Sequence, residues 1–123
     1  MAIRGVDHVQ VAAPSDCEKA ARAFYGGMLG LRELDKPSLL AGRGGCWFQA
    51  GDQQLHVGVA DPFSPATKAH PGFQLESVAE LEALAEQLEA AGTPVSWADE
   101  REIPGVRRFY ASDPWGNRLE FGA

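Results

Sequence analysis

HPGFQLESVAE, residues 70–80, has a counterpart earlier in the chain in HVQVAAPSDCE, residues 8–18. Each copy opens on a His, places a Ser seven residues later and a Glu three residues after that. A Gly follows at the same offset, Gly30 in the first copy and Gly92 in the second. The pairs His8/His70, Ser15/Ser77, Glu18/Glu80 and Gly30/Gly92 are all 62 residues apart. The chain therefore reads as α+β, two tandem copies of one strand–helix–strands module, each with a His on its first strand.

Working outward through the first copy, residues 3–12 alternate, with Val9 and Val11 on one side and His8 and Gln10 on the other, which predicts a half-buried strand. Pro14 ends it, and Ser15 with Glu18 has the spacing of a capping box, in which each side chain satisfies a backbone N–H at a helix start. Ala20, Ala21, Phe24, Tyr25 and Met28 then share one helical face, and the glycines at 26–30 stop the helix. Leu31–Leu34 reads as a short strand. Lys36–Gly45, with Pro37 and three glycines, reads as a loop, either a plain connector or one of those that carry specificity. Cys46–Ala50 and Gln53–Ala60 are strands joined by a turn at Gly51–Asp52. Leu55, Val57 and Val59 share one face of the second of these; Gln54, His56 and Gly58 share the other.

DPFSPATK, residues 61–68, has two prolines and no periodicity. It predicts a linker between a first module at 1–60 and a second at 69–123, the whole forming a single domain. In the second module His70–Leu75 is the first strand, with Phe73 and Leu75 opposite His70, Gly72 and Gln74. Ser77 and Glu80 cap a helix whose apolar stripe is Leu81, Leu84, Ala85 and Leu88. Val95–Trp97, Val106–Ala111 and Arg118–Phe121 are the remaining strands. The last two are joined by the turn DPWGN, residues 113–117, with Pro and Gly where turn geometry favours them; Asp113, Gly116 and Asn117 are read as turn residues.

Composition narrows the function. A chain of 123 residues suits one domain with a real core, and 45% hydrophobic with 23% charged residues is ordinary for a globular protein. A net charge of −6 without a basic run argues against nucleic acid or an anionic membrane as partner. No apolar stretch approaches the roughly 20 residues of a membrane span, and no signal-peptide profile is present. Cys17 and Cys46 form no CxxC, so a cytoplasmic protein with two reduced thiols is expected.

The chain has three histidines, and His8, His56 and His70 each fall on the polar face of an expected strand. Glu120 does the same between Leu119 and Phe121. His56 and Glu120 stand 64 residues apart, near the ends of the two modules. If an approximate two-fold relates the modules, the four side chains would converge. Imidazole nitrogens and a carboxylate suit a divalent ion such as Zn, Ni, Fe or Mn, with water or substrate in the open positions.

DHVQVAAP, AFYGGMLGL, QLHVGV, HPGFQLES and the terminal DPWGNRLEF together resemble the vicinal oxygen chelate superfamily: glyoxalases, fosfomycin-resistance proteins, extradiol dioxygenases and bleomycin-resistance proteins. The resemblance covers nearly the whole chain. It implies paired βαβββ modules forming a curved mixed sheet around a central cavity that holds a metal, the glyoxalase-like fold. It carries the metal ligands onto His8, His56, His70 and Glu120, with His56 and Glu120 as candidate catalytic residues. Glyoxalase I usually has a Glu where this chain has His56. The set His8, His70 and Glu120 is similar to the two-His, one-carboxylate triad of extradiol dioxygenases and fosfomycin-resistance enzymes. Trp47, Arg108 and Tyr110 are candidates for contacting substrate, with packing or a solvated charge as the competing reading of each.

The resemblance implies a metal-dependent lyase, isomerase or transferase acting on a small oxygenated substrate by chelation. An iron-dependent dioxygenase and a non-catalytic drug-binding module are the alternatives. In such a site Glu120 is expected to serve as a ligand, with proton transfer falling to His56 or to a metal-bound water. A homodimer is expected, because family members commonly pair modules across chains and symmetric dimers are the commonest oligomer.

Overall fold

In the computed structural model, which describes residues 2–123, the first strand, β1, runs His8–Ala13. The expected strand over 3–12 thus loses its first five residues. The reason lies in its partner. β1 pairs in parallel with β4 (Gln53–Val59) in a register that opens at His8 and Gln54, leaving β4 almost no length for anything upstream. Ile3 and Val6, apolar but without a ladder partner, stay 73% and 63% exposed.

The helix that follows differs from expectation at its start. α1 (Glu18–Ala21) has Cys17 at its N-cap and no side-chain capping bond, so Ser15 and Glu18 do not form a capping box. Asp16 adopts the left-handed conformation, φ 62°, and Glu18 Oε1 accepts from the Gly45 N–H at 3.1 Å instead. From Arg22 to Met28 the helix is π-type, with Leu29 N–H donating to Phe24 O. Its neighbouring rings, Phe24 and Tyr25, are both buried and meet edge to face at 5.0 Å, with Tyr25 tilted against Phe48 at 5.9 Å.

β2 (Arg32–Leu34) and β3 (Cys46–Ala50) complete a four-stranded sheet of order β1-β4-β3-β2, antiparallel except for β1 with β4. Between β2 and β3 the expected loop contains a one-turn helix, α2 (Ser38–Ala41), too short to leave a periodicity in the sequence. Gly45 takes a φ of +83°, and a Cβ there would lie 2.0 Å from Val57 O, so only glycine lets the loop close onto β4. Cys17 and Cys46 are free and buried, and burial pushes the Cys46 thiol up to about 11.

The second unit, Ala66–Ala123 as against Met1–Pro65 for the first, repeats the topology. Its sheet has the order β5-β8-β7-β6, built from β5 (Gly72–Gln74), β6 (Ser96–Trp97), β7 (Arg108–Ser112) and β8 (Arg118–Gly122). β5 and β8 are parallel, and β7 runs antiparallel to both its neighbours. Each unit is therefore βαβββ, and the chain is α+β with two four-stranded mixed sheets, as expected.

α3 (Val78–Ala90) starts with Ser77 Oγ accepting from the Glu80 N–H at 3.1 Å. It buries Leu81, Ala85 and Leu88 of the expected stripe and leaves Leu84 half-buried. Phe109 and Phe121 stack at 4.9 Å, and Phe73 joins Phe121 at 5.4 Å, which ties β5, β7 and β8 by one aromatic column. At the β7–β8 turn Asp113 Oδ1 accepts from the N–H groups of Trp115 and Asn117, while Asn117 Oδ1 accepts from Ala66 N–H. No helix among the described residues is long and apolar enough to cross a membrane.

The two matched serines should therefore behave differently. Ser77→Ala is expected to cost about 1 kcal/mol, the usual value of a side-chain cap, whereas Ser15→Ala should leave urea unfolding nearly unchanged. Equal losses from both would mean that the first helix is capped like the second.

Candidate metal centre

The parallel pairing of β1 with β4 and the antiparallel pairing of β3 with β4 place His8, His56 and Trp47 side by side. Gln10 is registered with His56 on one side and Trp47 with His56 on the other. The His56 ring lies between two planes: Trp47 stacks on it at 4.0 Å, parallel, and His8 at 4.3 Å, 14° from parallel. His56 is only 5% exposed. Burial holds its imidazole below the ordinary value, and the neighbouring charge of His8 adds to that, so the ring is neutral at physiological pH. Its Nε2 faces Gln54 Oε1 at 2.9 Å. His8 is more open, its side chain 47% exposed, with Nδ1 2.9 Å from Asp7 Oδ2.

In the second unit His70 precedes β5 rather than lying on it, correcting the expected strand over 70–75. The ladder instead begins at Gly72, opposite Glu120, and the Glu120 N–H donates to Pro71 O. Even so, His70 reaches the strand-borne carboxylate, with Nε2 3.2 Å from Glu120 Oε1. Its Nδ1 lies 2.8 Å from Lys68 O. A carbonyl only accepts, so Nδ1 carries a proton. In the neutral ring Nε2 then turns a lone pair toward a carboxylate oxygen, an arrangement that needs a second proton or a cation between them.

The hydrogen bonds of these rings are of the kind that metal-ligating histidines make. Histidine ligands hold the metal on one nitrogen and donate from the other to a carbonyl or a carboxylate. His70 does so through Lys68 O and His8 can do so through Asp7, so Nε2 is the nitrogen each would offer a metal. His56 has its Nε2 engaged by Gln54, so only Nδ1 remains to it. Within either unit, among the described residues, no three His, Cys, Asp or Glu side chains are gathered around one point. The first unit brings together His8 and His56; the second brings together His70 and Glu120.

Around Glu120 lie the other candidates. Arg108 is 8% exposed and donates through Nη1 to Tyr110 Oη at 2.9 Å and to Glu120 Oε1 at 3.4 Å. His70 meets the Tyr110 ring edge-on at 6.0 Å. Arg118 lies over that ring, its Cζ 4.2 Å from the centroid. Sequence reading missed Arg118, although the period of two along β8 puts it on the face of Glu120. It missed Gln54 as well, which the same period puts beside His56.

The sequence model of the family described as the Glyoxalase/Bleomycin resistance protein/Dioxygenase superfamily matches residues 5–121. A glyoxalase family protein from Bacillus anthracis is 48% identical, with 99% of this chain and 96% of that one covered and a TM-score of 0.90. Lactoylglutathione lyase from Agrobacterium tumefaciens is 23% identical, covered 99% and 95%, with a TM-score of 0.76. The fosfomycin resistance protein FosX from Listeria monocytogenes is 20% identical, covered 98% and 91%, with a TM-score of 0.73. The last two likenesses establish shared fold. No curated protein matches the sequence.

The His70 geometry has a direct readout. Long-range ¹H–¹⁵N spectra of metal-free protein, at a pH where His70 is neutral, should show the Nδ1–H tautomer. Finding the Nε2–H tautomer would mean that Lys68 O does not orient the ring.

Proposed function

Because the chain belongs to the Glyoxalase/Bleomycin resistance protein/Dioxygenase superfamily, the vicinal oxygen chelate group, we propose that it is a divalent-metal-dependent enzyme. Its reaction is that of a lyase, isomerase or transferase on a small substrate with neighbouring oxygens. The observation that carries this reading is His70 Nε2 lying 3.2 Å from Glu120 Oε1 while its Nδ1 faces Lys68 O.

In the second unit His70, through Nε2, and Glu120 are assigned as metal ligands; in the first unit His8 is, through its own Nε2. Bound there, a divalent ion supplies Lewis-acid stabilisation of negative charge on a substrate oxygen. The protein side chains do the rest. Glu120 acts as ligand rather than base, since its Oε1 is already directed at both His70 and Arg108. His56, neutral and held by Gln54 through Nε2, offers Nδ1 as the atom that takes a proton. Arg108 and Tyr110 present donors beside Glu120, where they orient an oxygen-rich substrate; Trp47 fixes the plane of His56.

We also assign the protein as a homodimer in the cytoplasm. Edge strand β1 carries Val9, 38% exposed, and the segment leading into it exposes Ile3 and Val6, an apolar run that a second copy would cover. Light scattering at micromolar concentration should give twice the chain mass; a monomer mass would remove this assignment.

The test of the enzyme reading is elemental analysis of protein purified without chelators or a His tag, followed by melting with and without chelator. A native-state ligand at a hundredfold excess over its Kd adds about 2.7 kcal/mol, so chelation should lower the melting temperature. His70→Ala should abolish that sensitivity, and Glu120→Gln should weaken it. His56→Ala should keep the metal and lose turnover. Identical melting curves, on a sample shown to contain metal at the start, would refute the reading.

A further inference from the structure

Trp47, stacked on His56, also lines a feature with no counterpart in the sequence motifs. A cavity of about 220 Å³ in the first unit is lined by Gln10, Lys36, Arg43, Trp47, Gly58 and Val59 among others. It is formed where the β2–β3 loop, with its one-turn helix α2, folds over β4. At that volume it is smaller than the ~300–1,000 Å³ of pockets for drug-sized ligands, so it suits a small group rather than a large one.

Its charge is at odds with the chain. In a protein of net charge −6 the two ionisable side chains lining this cavity are both cations. Arg22, Arg101, Arg107 and Arg108 each have a carboxylate partner. Lys36 and Arg43, like Arg4, Lys19, Arg32, Lys68 and Arg118, have none among the described residues, but these two line one cavity together. Lys36 Nζ donates to Gly44 O, which anchors the ammonium and leaves two of its three N–H groups available. Glu18, the nearest carboxylate to Gly44, is turned to the Gly45 N–H. The corresponding β6–β7 loop of the second unit carries two cations as well, Arg101 and Arg107, but each is paired with a carboxylate, Asp99 and Glu82.

The cavity also has a polar wall held in place by a missing side chain. Gln10 lies across Gly58, where a Cβ would come within 2.8 Å of its Cδ. The Gln10 amide thus lies against β4 at Gly58 and lines the cavity together with Trp47, Lys36 and Arg43.

We propose that this cavity binds an oxyanion, a carboxylate or a phosphate group, carried by the substrate of the neighbouring His8–His56 face. Lys36 and Arg43 provide the charge, Gln10 a hydrogen bond and Trp47 an apolar wall. The proposal rests on the enzyme reading above, and names the class of molecule as a small anion whose charged end lies away from its chelating oxygens.

The test uses the full-length protein as purified, titrated with inorganic phosphate, with acetate and with uncharged glycerol, following ¹H–¹⁵N signals. Saturable shifts of the Gly44, Gly45 and Gly58 amides and the Trp47 indole N–H are expected with phosphate or acetate, and none with glycerol. The tighter of the two anions identifies the group. Lys36→Gln and Arg43→Gln should each weaken binding about tenfold, the value of one charge-assisted hydrogen bond, and Arg101→Gln should leave it unchanged. Shifts confined to His70 and Glu120, or an affinity unaltered in the Lys36/Arg43 double variant, would overturn the proposal. Chelator sensitivity measured on the same sample separates the two ideas. Lost anion binding with a retained chelator effect removes this inference alone; anion binding without a chelator effect removes the metal reading alone.

Discussion

Parallel pairing of the first and last strand is the constraint on which each half of this protein depends. A parallel pair cannot be closed by a hairpin and needs a long connection. In each unit that connection is a helix followed by two strands, so the pairing dictates the βαβββ order. It also dictates the chemistry. Register between β1 and β4 sets Gln10 beside His56, and register between β5 and β8 sets Gly72 beside Glu120. Residues separated by about fifty positions in the chain become neighbours through backbone hydrogen bonds alone.

The repeat was legible because both units bury the same kind of face. Alternation marked β3, β4, β7 and β8 to within one or two residues, since those strands have one face in the core: Phe48, Leu55, Val57, Phe109, Leu119 and Phe121 are all at most 1% exposed. What alternation cannot report is whether a partner strand is long enough. In residues 3–7 Val6 falls on the face of His8, so the alternation of 8–12 does not carry through them, and β4 keeps only Gln53 beyond the register. His70 has the same history, because β8 meets β5 only from Gly72 onward. The matched Ser-x-x-Glu spacing failed in the first unit for a different reason. A side-chain carboxylate can satisfy any nearby N–H, and in the folded chain the Gly45 N–H competes successfully for Glu18.

At the site, residue types were legible and their roles were not. His8, His56, His70 and Glu120 stood out because a polar residue recurred on an otherwise apolar strand pattern. Nothing in the sequence distinguishes His70, whose ring is oriented by a carbonyl two residues back, from His56, whose ring lies between Trp47 and His8. That difference arises from loop conformation in one case and cross-strand stacking in the other. Arg118 and Gln54 were within reach of the period-two rule, but a lone charged or amide residue on a strand is ordinarily solvated, so the rule raises no flag. The cationic cavity was beyond reach altogether. Lys36 and Arg43 are seven residues apart in a stretch without periodicity, and only the fold of the loop over β4 puts them on one side.

The bonds at Ala66 have a consequence for how such a chain can change. Ala66 N–H donates to Asn117 Oδ1, and Ala66 O accepts from Arg118 N–H, so the second unit opens on a residue clasped by its own last hairpin. The first unit likewise ends with Ala60 N–H on Ala13 O. Residues 61–65 are left as the stretch of chain between two closed ladders. A gene for such a module can be duplicated, fused or shuffled at that stretch, and two copies of the protein can trade modules through it, with every ladder bond inside each module preserved.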